Sequence, residues 1–376
     1  MLSPIPVSVV THDNYVPWLA KQSDTTQCWL EQNGFKTTTG NICAVPGKDG
    51  QIAQIVCAAG NTVDMFTLAP LAKKYPGRKL VLDDWQQPAA QQMALGFMIA
   101  CYSFDRYKNK NHEFAELLIP DEFKSSELLV TAQSVHWVRD LVNTPTEDLG
   151  PEQLAEEMSD LAQRMGAKFK QIVGDQLLKE NFPAIHAVGR AASRPPRLLQ
   201  LSWGKADAPT VVLVGKGVCF DTGGLNLKTG NYMLLMKKDM GGAAHVLGLA
   251  QMVMSQNLPI RLEVLIPAVE NAVSGNAFRP GDVLNTRAGI SVEVGNTDAE
   301  GRLVLSDALT LAMEMQPDLV LDFATLTGAA RVALGPELPV LFSNNQTLAS
   351  QLLEVSQEQY DPLWQLPLHQ AYRKLL

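Results

Sequence analysis

The chain has 376 residues, of which 46% are hydrophobic and 19% are Asp, Glu, Lys or Arg, and its formal charge is -8. That balance excludes a disordered polyelectrolyte, and the length accommodates two domains of about 150 residues. The negative charge argues against a nucleic-acid partner, because phosphates repel such a surface.

The opening residues MLSPIPVSVVTHDN hold two prolines and no basic segment, so they do not read as a leader. Residues 1–130 read as a smaller N-terminal α/β domain. Strand-like runs at 51–57 and 78–82 are set off by the turn signals Pro46-Gly47 and Pro76-Gly77. The spacing of Met93, Phe97 and Cys101 predicts a helix after Pro88 that runs toward Tyr107, and the charged segment Arg106 to Glu113 reads as solvated. The longest apolar run, Met93 to Tyr102, is too short to span a bilayer. Cys28, Cys43, Cys57, Cys101 and Cys219 are scattered and form no CxxC pair, which fits a reducing compartment. A cytoplasmic location with no membrane partner is the expectation.

A helix is predicted between Ala132 and Leu141, broken at Asn143-Thr144-Pro145. Gly150-Pro151 opens another from Glu152 to Met165, with Pro151 suited to its first turn. Farther on, apolar runs at Leu198–Leu201, Thr210–Val214, Arg261–Pro267 and Leu319–Phe323 are interspersed with helical patterns at Ala243–Met254 and Leu303–Met315. Strands this apolar belong to a sheet covered on both faces. Residues 131–376 are therefore expected to form a larger three-layer α/β/α domain with a mainly parallel or mixed central sheet. Ligands in such folds bind beyond the carboxyl ends of the strands.

Charged residues do gather there. The stretch Val214 to Lys228, VGKGVCFDTGGLNLK, carries Lys216, Asp221 and Lys228. Asp239 follows in MKKDMGGAA, and Asp298, Glu300 and Arg302 lie in NTDAEGR, ahead of a predicted helix. In an extended loop these last three would alternate onto one side. Taken singly, Asp239 and Asp298 read as helix caps, Lys216 and Lys228 as surface lysines, Asp282 as a turn residue and Asp307 as a helix residue. Brought together, three aspartates and a glutamate require a counter-charge. Two divalent ions about 3.5–4 Å apart would provide it and would activate a water for hydrolysis. The six histidines show no paired metal-binding spacing, and His245 reads as a packed or supporting residue.

These blocks resemble the leucyl (cytosol) aminopeptidase family, which carries VGKGxxFDSGG followed by a lysine, then an MKxDMxGAA-like block, then NTDAEGRLxLxDAL and DxATLTGA. The counterparts here are Val214 to Lys228, Met236 to Ala244, Asn296 to Leu305 and Asp322 to Ala329. Thr222 stands where serine is usual, and Leu234 replaces an aspartate. The resemblance is firm from 185 to 342 and thin in the first domain. It implies that Lys216, Asp221, Asp239 and Glu300 hold one metal ion, while Asp221, Asp298 and Glu300 hold a second. The ions implied are manganese, zinc or magnesium. Lys228 would polarise the scissile carbonyl, and Arg302 would hold a bicarbonate acting as general base. Met236, Asp239, Thr325, Leu326 and Ala329 would join Lys228 around the substrate, a short peptide with a free N-terminus and a leucine-like first side chain. A homo-hexamer is also implied. Family members continue beyond the segment at which this chain stops, so a C-terminally incomplete catalytic domain is expected. The alternative reading is a catalytically impaired structural or binding subunit.

Overall fold

The computed structural model describes residues 3–87, 89–108, 112–123 and 126–375. The chain divides into two units, one of residues 1–132 with 327–376 and one of residues 133–326.

In the first unit, β1 (Ile5–Val10), β2 (Ile42–Pro46), β3 (Ile52–Ala58), β4 (Lys79–Leu82) and β5 (Glu116–Leu118) form one sheet in the order β2-β3-β1-β4-β5. Only β2 on β3 is antiparallel. Helix Ala90–Ala100 buries Met93 and Phe97, as their spacing predicts. It stops short of Tyr107, because Ser103 and Asp105 bond to each other and to His112 instead of extending the helical ladder. Pro88 and part of the segment expected to be solvated lie outside the described residues.

The second unit contains β6 (Lys168–Val173), β7 (Arg197–Trp203), β8 (Thr210–Gly215), β9 (Gly217–Asp221), β10 (Arg261–Asn271), β11 (Val283–Asn285), β12 (Ser291–Glu293) and β13 (Leu319–Phe323). Its main sheet runs β13-β8-β10-β7-β6, with β9 beside the far half of β10, while β11 and β12 form a separate pair. The sheet is mixed. β13, β8, β9 and β10 are parallel, whereas β7 is antiparallel to both β10 and β6.

Both faces of this sheet are covered. Leu213, Val264 and Ile266 pack toward helices Pro151–Met165 and Gly241–Ser255. Their strand neighbours Val212, Val214 and Leu265 pack toward helices Pro183–Gly189 and Glu300–Glu314. Each such aliphatic side chain contributes roughly 1.5–3 kcal/mol on burial, which explains why these strands are apolar without interruption. The layers are those expected, with a mixed sheet.

One irregularity positions the site. Gly217 and Val218 pair with Ala268 and Val269, but Phe220 and Asp221 pair with Glu270 and Asn271, so Cys219 is an extra residue in β9. Lys216 and Asp221 lie five positions apart, an odd spacing that would put them on opposite sides of a regular strand. The bulge reverses that parity. Both side chains then reach the face covered by the helix that Glu300 begins.

Beyond residue 326, helices Ala329–Leu334 and Gln346–Glu358 and the parallel pair β14 (Val340–Leu341) and β15 (Trp364–Gln365) belong to the first unit. Among the described residues no helix is long and apolar enough to cross a membrane.

Candidate metal centre

The charged residues of these sequence blocks occupy the ends of elements. Lys216 sits at the break between β8 and β9, and Asp221 ends β9. Asp239 lies in the 3-10 turn Met236–Met240 ahead of helix Gly241–Ser255. Asp298 lies in the turn Thr297–Ala299, and Glu300 is the first residue of its helix. Lys216, Asp221, Asp239 and Glu300 are all buried.

Two ammonium groups bridge four carboxylates. Lys216 Nζ lies 2.6 Å from Asp239 Oδ2 and 2.9 Å from Glu300 Oε1, and it donates to the Thr325 carbonyl at 3.2 Å. Lys228 Nζ lies 2.8 Å from Asp221 Oδ2 and 2.5 Å from Asp298 Oδ1. One oxygen each from Asp221, Asp298 and Glu300 falls within 4.8 Å of the others. Asp239 joins this group through the ammonium it shares with Glu300, and its Oδ1 accepts from the Thr325 hydroxyl at 2.9 Å.

Lys238, half-buried, adds a third ammonium 3.8 Å from Asp239 Oδ1, and four carboxylates still outnumber the lysines. Burial pushes Glu300 up to about 7, and the charges of Asp221 and Asp239 add to that against the pull of Lys216. Burial also raises Asp239 and Asp298 above the ordinary carboxylate range. For Lys216, burial alone would lower the ammonium, yet Asp239 and Glu300 hold it above the usual lysine range. Lys228 is raised likewise by Asp221 and Asp298. Glu300 Oε2 is buried with no hydrogen-bond partner. A buried carboxylate oxygen without a donor is costly, and it faces a cluster short of positive charge. These residues fit a divalent cation. Lys216 would then lose its proton, as a nitrogen ligand must.

Gly301 makes the close approach possible. A Cβ there would stand 2.6 Å from Lys216 Cε, and Lys216 has no room to yield while paired to two carboxylates. Gly223, at φ +87°, turns the chain just after Asp221 and donates its N–H to Asp221 Oδ1 at 2.9 Å.

Several expectations change. Asp298, Glu300 and Arg302 do not alternate along an extended loop, because Glu300 and Arg302 occupy the first turn of helix Glu300–Glu314. Two helical residues point about 200° apart, so Glu300 is buried while Arg302 is exposed, with no ion pair among the described residues. Neither Asp239 nor Asp298 is a cap; Asn296 instead accepts the Asp298 N–H at 2.8 Å. His245 is exposed and bonds back to the Gly241 carbonyl, so it is not a packed residue. Met236 is half-buried at the start of the turn carrying Asp239, Leu326 is exposed, and Ala329 opens its helix in the other unit. Asp307 is fully buried and accepts backbone N–H groups from Ala184, Ile185 and Arg287.

The catalytic-domain profile of the cytosol aminopeptidase family matches residues 136–376. The chain belongs to the cytosol aminopeptidase family. An M17 aminopeptidase N-terminal domain profile matches residues 5–120. A family member of the same kind, the cytosol aminopeptidase from Coxiella burnetii, has a crystal structure similar to this one. Its TM-score is 0.93 at 45% identity, over 100% of this chain and 82% of that one. The bottromycin maturation enzyme BotP, solved in complex with Mn, aligns with a TM-score of 0.87 at 32% identity, over 99% of this chain and 83% of that one. Peptidase B from Pectobacterium carotovorum is 44% identical over 271 residues, or 70% of this chain and 62% of that protein. The chain spans about three fifths of the length of the curated relatives it matches.

Proposed function

We propose that this chain is a metal-dependent aminopeptidase that removes an N-terminal, leucine-like residue from short peptides. Residues 131–376 would form its metallopeptidase domain behind an N-terminal α/β domain of residues 1–130. The observation that carries the reading is the convergence of Asp221, Asp298 and Glu300 beside the Lys216–Asp239 pair in a member of this family.

Lys216, Asp221, Asp239 and Glu300 would hold one divalent cation, and Asp221, Asp298 and Glu300 a second. Manganese, zinc and magnesium all suit so oxygen-rich a set. When bound, the ions would supply Lewis acidity and lower the pKa of a water for attack on the carbonyl. Lys228 keeps 13% of its side chain exposed while its ammonium pairs with Asp221 and Asp298. Its ammonium would donate to the scissile carbonyl oxygen and stabilise the charge that develops there. The Arg302 guanidinium presents a planar fork for bicarbonate, the proposed general base; the arginine cannot itself accept a proton. Asp239 would orient the free amine of the peptide, and Met236, Thr325 and Leu326 would border its first side chain. A cytoplasmic homo-hexamer is the proposed assembly. The unbroken set of ligands weighs against a catalytically impaired subunit.

The test is hydrolysis of Leu-Gly and leucine p-nitroanilide by the purified chain supplied with Mn2+. Chelation should abolish turnover, re-addition of Mn2+ should restore it, and N-acetyl-Leu-Gly should resist. A fully loaded protein that cleaves no peptide with a free amine would overturn the proposal in favour of the impaired subunit.

A further inference from the structure

Two buried polar side chains outside the proposed ligand set tie the two aspartate-bearing loops together. Asn271, the last residue of β10, is 1% exposed. Its Nδ2 donates to Asp221 Oδ1 at 2.8 Å and to the Thr297 carbonyl at 3.0 Å. Both partners are acceptors, so only the NH2 end of the amide can face them. Gly223 N–H also donates to Asp221 Oδ1, which leaves Oδ2 to point toward Lys228 and the cluster.

Thr297 is fully buried and immediately precedes Asp298. Its hydroxyl donates to the Gly223 carbonyl at 2.6 Å and accepts from Asn226 N–H at 2.8 Å. Its own N–H donates to Asn226 Oδ1 at 2.8 Å. Loop 221–226 is thereby fastened to loop 296–298 through protein atoms alone.

We propose that Asn271 and Thr297 are positioning residues that fix the Asp221 carboxylate and the placement of Asp298 before a cation arrives, and so set the affinity for divalent ions. The inference rests on the metal reading above. Carboxylate ligands held by hydrogen bonds need little reordering on binding, and loss of such support typically weakens metal binding by about 10–100-fold.

The experiment titrates Mn2+ into the chelator-stripped full chain, reading free Mn2+ from its aqueous paramagnetic-resonance signal, with thermal midpoints recorded in chelator. Asn271→Leu and Thr297→Val should each weaken Mn2+ binding by about 10–100-fold. Thr297→Ser, which keeps the hydroxyl, should bind like the wild type. A merely structural role would lower the thermal midpoint without moving the Mn2+ affinity of the folded protein. Should Asn271→Leu not fold, the Thr297 pair decides. Wild-type affinity in Thr297→Val, or equal losses in Thr297→Val and Thr297→Ser, would overturn the inference. A wild-type chain that takes up no Mn2+ would instead remove the metal reading on which it stands.

Discussion

Glu300 combines burial, charge and an unsatisfied oxygen in one side chain. One of its oxygens pairs with Lys216, the other has no partner, and burial raises its carboxyl. Glu300→Gln keeps the shape and removes the charge shared by both proposed ions. Mn2+ affinity should fall by at least the roughly 100-fold that marks the upper range for a supporting residue, as a binding titration would show. Gly301→Ala tests steric fit instead. Its methyl group would collide with the Lys216 stem, so a loss of about 1–3 kcal/mol in denaturant unfolding is expected, together with weaker Mn2+ binding. Asp307 is the contrasting case. Asp307→Ala strands three N–H groups, two at the start of helix Pro183–Gly189 and one on Arg287. Stability should drop by on the order of 2–3 kcal/mol in the same unfolding assay, with Mn2+ affinity in the folded fraction unchanged.

Among the elements, β9 decides the chemistry through one extra residue. Cys219 is buried, and burial raises its thiol, so it serves as a small neutral filler. Cys219→Ala should therefore bind Mn2+ like the wild type. Deleting Cys219 would leave Lys216 and Asp221 four positions apart on a regular strand, still on one face, so the deletion variant should keep Mn2+ binding, which the same titration measures. The bulge was not legible in the sequence. VGKGVCFD reads as a strand running into a loop, and no residue in it announces which position is left unpaired. β10 shows the same limit. Pro267 reads as a strand end, but the strand continues to Asn271, because β9 supplies a neighbour along its final residues. Asn271 was therefore invisible as a functional residue. The apolar spacing of helix Glu300–Glu314 is legible in the sequence, but the helix begins three residues before Leu303, where NTDAEGR reads as loop.

For the whole molecule, the charge of -8 leaves no electrostatic drive toward duplex DNA. A mobility-shift assay at about 0.15 M salt should show no retained duplex, and lowering the salt should not produce sequence-selective binding. The two family profiles and the similarity over the full chain to a solved cytosol aminopeptidase agree with the two-domain α/β reading.

The kinds of residue needed, their blocks and the α/β class were properties of the sequence itself, because apolar periodicity and the density of acidic residues at strand ends are local facts. Convergence was not local. Asp221, Asp298 and Glu300 reach one another because the β9 bulge selects a face, a helix begins at Glu300, and Asn271 with Thr297 ties two distant loops together. Each of these depends on which strand or loop lies alongside, and pairing between remote segments is decided by packing in three dimensions.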